Sequence, residues 1–285
     1  MRINTNVASM NAQESAAKTN TQLSSSLEKL SSGLRINKAS DDASGLAIAD
    51  KLRTQASSIG QGISNANSAV SLTQIADKAM GEESNILDII KTKLLQASTA
   101  TTSTAGHDAI AKDVNKLLDQ INNIASQTNY NGISLLQASS ASADSTTALT
   151  FQTGETASDT IVTSGGVMAN TSGLALTALK GFASNGGGSL NAANASAQLD
   201  EIDAAINTLN GWRADFGSTQ NQLESATRNM MTQQTNIKAA ESVIRDVDYA
   251  NESANFNKQN IISQAGTYAM SQANSVQQNV LRLLQ

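Results

Sequence analysis

The chain has 285 residues, with 19 Lys and Arg against 24 Asp and Glu, a net charge of −5, and neither proline nor cysteine. An acidic chain lacks the basic face that phosphate binding needs, which excludes nucleic acid as the main partner. The apolar runs are far shorter than the roughly 20 residues of a membrane-spanning helix, so we expect no membrane insertion. The absence of cysteine excludes a disulfide framework and thiol chemistry.

The composition favours an elongated helical protein. Charged residues make up 15% of the chain and aromatic residues 3%, whereas an average chain has about 25% charged residues. Without proline, the commonest helix breaker is missing, and long helices can run uninterrupted. Apolar contacts must then come mainly from Leu, Ile, Val, Met and Ala.

Both ends of the chain carry weak heptad patterns flanked by Asn, Gln, Ser and Thr. Such segments bury too little apolar surface alone to offset the entropy of ordering. We therefore expect both ends to be disordered in the free monomer and helical in an assembly, where their apolar stripes form the contact surface. The stripe residues are Leu23, Leu27, Leu30 and Leu34 near the N-terminus, and Ile262, Ala265, Ala269, Val276 and Leu283 near the C-terminus.

Two long helices and one shorter helix are predicted between the ends. Apolar residues at spacings of three and four predict a helix over residues 43–97, and a similar pattern predicts a third helix with apolar residues at 110–124. A Ser- and Thr-rich connection at 98–106 lets the third helix turn back. A seven-residue repeat predicts the other long helix over residues 193–249. The predicted core positions are Leu52, Ile59, Ile63 and Val70 on one helix, and Ile202, Leu209, Phe216, Leu223, Met230, Ile237 and Ile244 on the other.

The segment at residues 137–193 differs in kind from the helices. Asn131-Gly132 just before it is a hairpin-type turn signal. Residues 147–152 alternate weakly and are expected to pair with residues 160–163, and a glycine-rich stretch follows at 184–189. The whole chain is therefore predicted to be mainly α, a long antiparallel coiled-coil bundle with a small, exposed insert of β-hairpin and loop.

No catalytic, cofactor or metal site is predicted. His107 is the only histidine, and one histidine without cysteine provides neither a zinc site nor a Cys-His pair. We interpret it as a polar loop residue before a helix. Asp41 and Asp42 lie just before a predicted helix and are interpreted as N-capping residues.

Several longer motifs together are similar to bacterial flagellin. The motifs are INTN at 3–6, LSSGLRIN at 30–37, DDASGLAIA at 41–49, QTNYNG at 127–132, RDVDYA at 245–250, AMSQAN at 269–274 and VLRLL at 280–284. The resemblance covers roughly residues 3–136 and 194–284, which is most of the chain.

The resemblance implies an extracellular filament subunit with five segments. Residues 1–42 and 250–285 would be the halves of an inner coiled-coil domain, residues 43–136 and 194–249 a helical shell domain, and residues 137–193 a small exposed insert. Arg35, Asp41 and Asp42 would lie where the inner domain joins the shell and could contact neighbouring subunits. The implied partners are identical subunits, an export chaperone, and the hook–filament junction and cap proteins, with unfolded export through the type III pathway.

One stretch departs from the pattern of many family members. Residues 88–95 align with an arginine-bearing stretch that binds the flagellin-sensing toll-like receptor. Here Ile89 replaces the arginine and removes a bidentate donor, followed by Leu94 and Leu95, while Asp113 keeps an acid where the family has glutamate. The pattern resembles the flagellins that evade this receptor, so we expect weak or no recognition.

The function predicted on these grounds is that of a structural, non-enzymatic subunit of a swimming filament. The first alternative is the hook–filament junction subunit, which shares the terminal heptads. The second is a secreted adhesin or immune ligand that binds host surfaces through the insert.

Overall fold

A computed structural model describes residues 5–137, 146–163, 165–183 and 190–283 of the chain. In chain order the helices are α1 (Val7–Ser32), α2 (Ala43–Ala97), α3 (Thr104–Gln127), α4 (Thr177–Ala183), α5 (Ala192–Arg245) and α6 (Tyr249–Leu283). The strands are β1 (Asn129–Tyr130), β2 (Ile133–Ser134), β3 (Thr150–Gln152) and β4 (Thr160–Val162). The prediction of a mainly α fold with a small β insert is confirmed. The glycine-rich stretch at 184–189 lies outside the described residues.

Local capping sets the ends of the helices. The Asp42 carboxylate accepts a hydrogen bond of 2.9 Å from the Gly45 amide and so caps the start of α2. At the start of α3 the Ser103 hydroxyl accepts from the Gly106 amide at 3.2 Å. Gly33 ends α1 in the left-handed conformation, with φ of 73°, and donates its amide to the Lys29 carbonyl.

The interpretation of His107 as a loop residue was wrong. Because Ser103 caps the helix, the chain is already helical at His107, which lies in the first turns of α3. The imidazole is buried, and its Nε2 lies 3.2 Å from the Ala97 carbonyl at the end of α2. This histidine therefore links the ends of two helices.

The chain forms two units, which we call the terminal unit (residues 1–57 and 234–285) and the central unit (residues 58–233). The unit boundaries fall inside α2 and α5 instead of at helix ends. The five segments expected from the sequence have other boundaries and remain a prediction.

The central unit holds the main apolar core, where α2, α3 and α5 pack as an antiparallel bundle. Two ion pairs set the register of α2 against α5, because Arg213 lies 3.0 Å from Asp77 and Lys91 pairs with Asp203. The short helix α4, which the sequence patterns did not predict, adds Leu179 to this core.

Two antiparallel hairpins attach to the bundle of the central unit. β1 pairs with β2 through a turn in which Asn131 and Gly132 have φ of 50° and 82°, as the Asn-Gly signal predicted. β3 pairs with β4 in the insert. A Cβ on Gly62 of α2 would lie 2.2 Å from the Thr153 carbonyl oxygen, so the insert backbone contacts α2 where a side chain is absent.

Candidate assembly surfaces

The terminal unit is built on an antiparallel pair of helices, α1 and α6. The Asn6 side chain caps α1 and donates to the Ala273 carbonyl near the far end of α6 at 3.2 Å. Further along the pair, Ser263 donates to the Asn20 side chain at 2.9 Å, and Ser26 donates to Glu252. The two helices thus meet through small and polar side chains, which bury little apolar surface.

The apolar stripe of α6 points away from α1. Ile261 is 67% exposed and Tyr268 is 75% exposed. The positions of α6 that face α1, such as Ser263 and Gly266, are instead half-buried, and a Cβ added at Gly266 would lie 3.8 Å from the Ala16 side chain. Of the residues expected to mediate assembly, all those with described side chains on α6 are exposed: Ile262, Ala265, Ala269 and Val276. The side chain of Leu283 lies outside the described part of the chain.

The N-terminal residues expected to mediate assembly, three on α1 and Leu34 just after it, are divided between two environments. Leu27 is exposed, whereas Leu23, Leu30 and Leu34 are half-buried. Beyond these, the first turns of α1 carry an exposed apolar patch of Val7 and Met10. The sequence pattern identified apolar residues on both helices without showing which face each helix gives to its partner.

The three residues expected to contact neighbouring subunits lie at the breaks between helices and make contacts within the chain. The amide of Arg35 donates to the Arg245 carbonyl at 2.7 Å, beside a β-bridge between Leu34 and Asp246. Its guanidinium donates to the Ile244 carbonyl at 2.6 Å.

The two aspartates before α2 organise the same break. The Asp41 carboxylate accepts hydrogen bonds from the amides of Lys38 and Asn37, at 3.0 and 3.1 Å, and these bonds lower the pKa of Asp41. Asp42 caps α2. Arg35 and Asp41 remain exposed, so their side chains are accessible to another molecule despite their contacts within the chain.

The residues expected to form the shell core differ in how far their side chains are buried. Six are buried in the central unit: Ile59, Ile202, Leu209, Phe216, Leu223 and Met230. Ile63 and Val70 of the central unit are half-buried, as are Leu52, Ile237 and Ile244 of the terminal unit. In the first part of α2 several of the most buried residues are small, among them Ala56, Ala66, Ala69 and Ala76, whereas the later part buries large residues such as Met80, Leu87 and Leu94.

The stretch at residues 88–95, which we expect to correspond to a receptor-binding patch, is only partly at the surface. Ile89 and Leu95 are 46% and 48% exposed, whereas Leu94 is fully buried in the bundle core. Asp113 of α3 pairs with Lys93 of α2 at 3.1 Å. The exposed residues of this stretch are the apolar Ile89 and Leu95 and the polar Asp88 and Thr92, and the nearby Asp113 carboxylate is paired with a lysine.

The described residues contain no group of three or more His, Cys, Asp or Glu side chains placed to hold a metal ion. Over the same residues, every helix is too short or too polar to cross a membrane. One ionisable group is unusual, because Glu83 is fully buried among the bundle helices and both carboxylate oxygens lack a hydrogen-bond partner. Burial raises the pKa of Glu83 to about 9.

Two family models match the helical parts of this chain. The model of the bacterial flagellin N-terminal helical region matches residues 3–141, and the model of the C-terminal helical region matches residues 199–284. A flagellin of Bacillus subtilis is 36% identical over the full length of both chains. The chain belongs to the bacterial flagellin family.

Other relatives place this flagellin-family chain among short members. A flagellar filament 30.7 kDa core protein of Treponema maltophilum is 35% identical, again over the full length of both chains. Among solved structures, a putative flagellar hook-associated protein of Vibrio parahaemolyticus has a similar fold, with a TM-score of 0.59. That likeness covers 72% of this chain and 99% of the other at 14% identity, which supports the fold alone.

Proposed function

We propose that this member of the flagellin family is a structural subunit of the bacterial flagellar filament and assembles with identical subunits through the outward faces of α1 and α6. The observation that carries the proposal is the apolar stripe on α6, which lies opposite the α1 contact and is exposed in the single chain. The protein acts outside the cell as part of the filament, and we propose no catalytic role for it.

The energetic argument starts from the small interior of the terminal unit. Its buried apolar residues, within the described part of the chain, are Ala16, Ile36, Ala49 and Ala56. Burying one large apolar side chain contributes about 1.5–3 kcal/mol, and ordering each residue costs about 1–2 kcal/mol in backbone entropy. A long helical pair with so few buried side chains needs a covering surface, and copies of the same chain provide one.

The sharpest test is assembly of the purified chain in concentrated sulfate, which strengthens apolar burial. We expect long uniform filaments by electron microscopy from the unaltered chain. The double variant Ile262→Gln with Ala269→Gln places two amides in the outward stripe and should abolish sedimentation of filaments. Ser271→Gln adds the same amide to an exposed position beside the stripe and should assemble normally.

Two results would contradict the proposal. Filaments formed equally well by the double variant would move the contact away from α6. Monomers or short capped oligomers from the unaltered chain would favour a junction subunit of the hook-associated kind, the alternative whose fold is similar. A host-binding adhesin would instead lose binding on deletion of residues 138–194 while still forming filaments.

The finer partnerships follow from family membership and remain proposals. We propose that the N-terminal segment carries an uncleaved export signal, that an export chaperone binds the C-terminal segment before assembly, and that the filament contacts junction and cap proteins at its ends. Rotation of the filament would then drive swimming. Cells that express the variant Ile262→Gln with Ala269→Gln should secrete the monomer normally but fail to swim. That result would show that the outward stripe of α6 is needed for assembly and not for export.

We propose weak recognition by the flagellin-sensing toll-like receptor. Ile89 presents an apolar surface in place of a guanidinium, and the Asp113 carboxylate is occupied by Lys93. In a reporter-cell assay we expect low potency from the unaltered chain and higher potency from Ile89→Arg. Potency equal to that of an arginine-bearing flagellin would overturn this proposal.

A further inference from the structure

We propose that Met10 is an oxidation-sensitive position, at which conversion of the thioether to a sulfoxide blocks entry of the subunit into the filament. This inference rests on the proposed function, since it concerns a residue on the outward face of α1. The chemical partner is a two-electron oxidant of the peroxide class. The peroxide transfers one oxygen atom to the Met10 sulfur and is itself reduced to water, leaving the carbon skeleton of the side chain intact.

Accessibility separates Met10 from most other methionines. Met10 is 60% exposed. In the described part of the chain, Met80 and Met230 are buried, and Met168 and Met270 are half-buried. Met231 of the central unit is the other exposed methionine, at 51%. A peroxide added to the monomer should therefore reach Met10 and Met231 first.

Met10 lies beside other exposed apolar side chains, so its oxidation would change the polarity of this part of the surface. Val7, one turn earlier on α1, is 57% exposed, so the two side chains form an apolar patch. One further turn along, the patch ends at the exposed ion pair of Glu14 with Lys18, at 2.7 Å. The Asn6 contact with Ala273 brings this end of α1 to the C-terminal part of α6, where Val276 is 53% exposed. Met10 therefore lies in an exposed apolar patch of α1, at the end of the helix pair that also carries the exposed Val276 of α6.

A sulfoxide changes this surface without changing its shape greatly. The sulfinyl oxygen is a strong acceptor, and covering it without a hydrogen-bond partner weakens the contact between subunits. Since 1.4 kcal/mol is a factor of ten in affinity, we expect the subunit concentration needed for assembly to rise about tenfold. At a concentration only slightly above that at which untreated chain assembles, treated chain should therefore stay unassembled. The monomer itself should keep its helices, because Met10 makes no part of a buried core.

The experiment treats purified monomer with hydrogen peroxide, quenches it with free methionine, and then induces assembly with sulfate. Sedimentation measures the assembled fraction, peptide mass spectrometry locates the sulfoxide, and circular dichroism checks helix content. We expect treated chain to remain in the supernatant with sulfoxide at Met10. Methionine sulfoxide reductase should restore assembly.

Four variants make the assignment specific. Met10→Leu should assemble with or without peroxide, whereas Met231→Leu should be as sensitive as the unaltered chain. Met10→Gln supplies a polar side chain permanently and should fail without any oxidant, while Met231→Gln should assemble. Chain oxidised at Met10 that sediments normally, or peroxide sensitivity retained in Met10→Leu, would overturn the inference. Failure of untreated chain to assemble would contradict the proposed function instead.

Discussion

The terminal and central units share two helices yet bury their side chains in opposite ways. The central unit encloses large aliphatic residues such as Leu94, Leu118 and Leu209 with no exposed surface. Among its described residues the terminal unit buries one large aliphatic side chain, Ile36, and leaves Val243 and Tyr268 mostly exposed. Buried apolar surface within one chain is thus concentrated in the central unit, while the terminal unit leaves much of its apolar surface exposed.

The largest expected effect comes from shortening a core leucine. Leu209→Ala should lower the free energy of unfolding of the central unit by about 2–5 kcal/mol, because it removes buried methyl groups and leaves a cavity. Leu27→Ala, at an exposed position of α1, should leave monomer stability nearly unchanged. The only tryptophan, Trp212, packs against the central core and reports its unfolding in a denaturant titration. Similar losses from both variants would contradict the contrast between the units.

The next largest effect is a pH dependence confined to the central unit. In the unfolded chain the Glu83 carboxyl has its ordinary pKa of 4.5. In the folded chain burial raises this pKa to about 9, so the carboxyl stays protonated at neutral pH. Between these values the folded state binds the extra proton, so stability falls as pH rises. The expected loss is about 3 kcal/mol between pH 6 and 8.

Glu83→Gln should remove that slope, since the amide does not titrate. Trp212 fluorescence in urea at a series of pH values measures both proteins, and the exposed neighbour variant Glu82→Gln serves as control. A flat profile for the unaltered chain would show that Glu83 gains a partner or solvent in solution.

A third test concerns attachment of the insert. Gly62→Ala should cost about 2 kcal/mol, because the new Cβ would meet the Thr153 carbonyl oxygen and force the backbone apart. Gly217→Ala places the same methyl group on α5, where nothing lies within 4 Å, and should stabilise the helix by about 0.5–1 kcal/mol. A lower unfolding temperature for Gly62→Ala together with a higher one for Gly217→Ala would verify the close contact. Higher unfolding temperatures for both variants would disprove it.

The smallest expected effect lies in the terminal unit. Asp42→Ala removes the cap on the Gly45 amide and should cost about 1 kcal/mol at the start of α2. Hydrogen exchange at Gly45 should quicken, whereas the exposed neighbouring variant Ser44→Ala should leave it unchanged. Unaltered protection of Gly45 in the Asp42 variant would assign the helix start to another interaction.

The sequence predicted the helices better than their faces. Residues 43–97 were expected to be helical and are α2, because neither proline nor a glycine cluster interrupts their pattern. Because a periodic pattern of apolar residues weights the large ones, it predicts Leu52, Ile63 and Val70 as core, and all three are half-buried. Ala66 and Ala76 are fully buried there instead, and a small buried side chain leaves no large apolar residue in the pattern to mark the position.

Other features depend on long-range partners that a local pattern cannot reveal. Leu94 and Leu95 are adjacent leucines, yet one is buried and the other is 48% exposed. The division of the α1 leucines between the α6 contact and the surface follows from the antiparallel pairing with α6. The buried Glu83 resembles its exposed neighbour Glu82 in sequence and differs only through the packing of α2.

The pairing of α1 with α6 also has a kinetic consequence. The hydrogen bond from Asn6 to Ala273 joins residues 267 positions apart, so the first helix of the chain must wait for the last one. The entropy of closing a loop grows slowly with its length, by about 0.6 kcal/mol for each doubling, but contacts at such separation form late. A chain that emerges N-terminus first, from a ribosome or through a narrow channel, can therefore pair α1 with α6 only after its C-terminal residues have emerged.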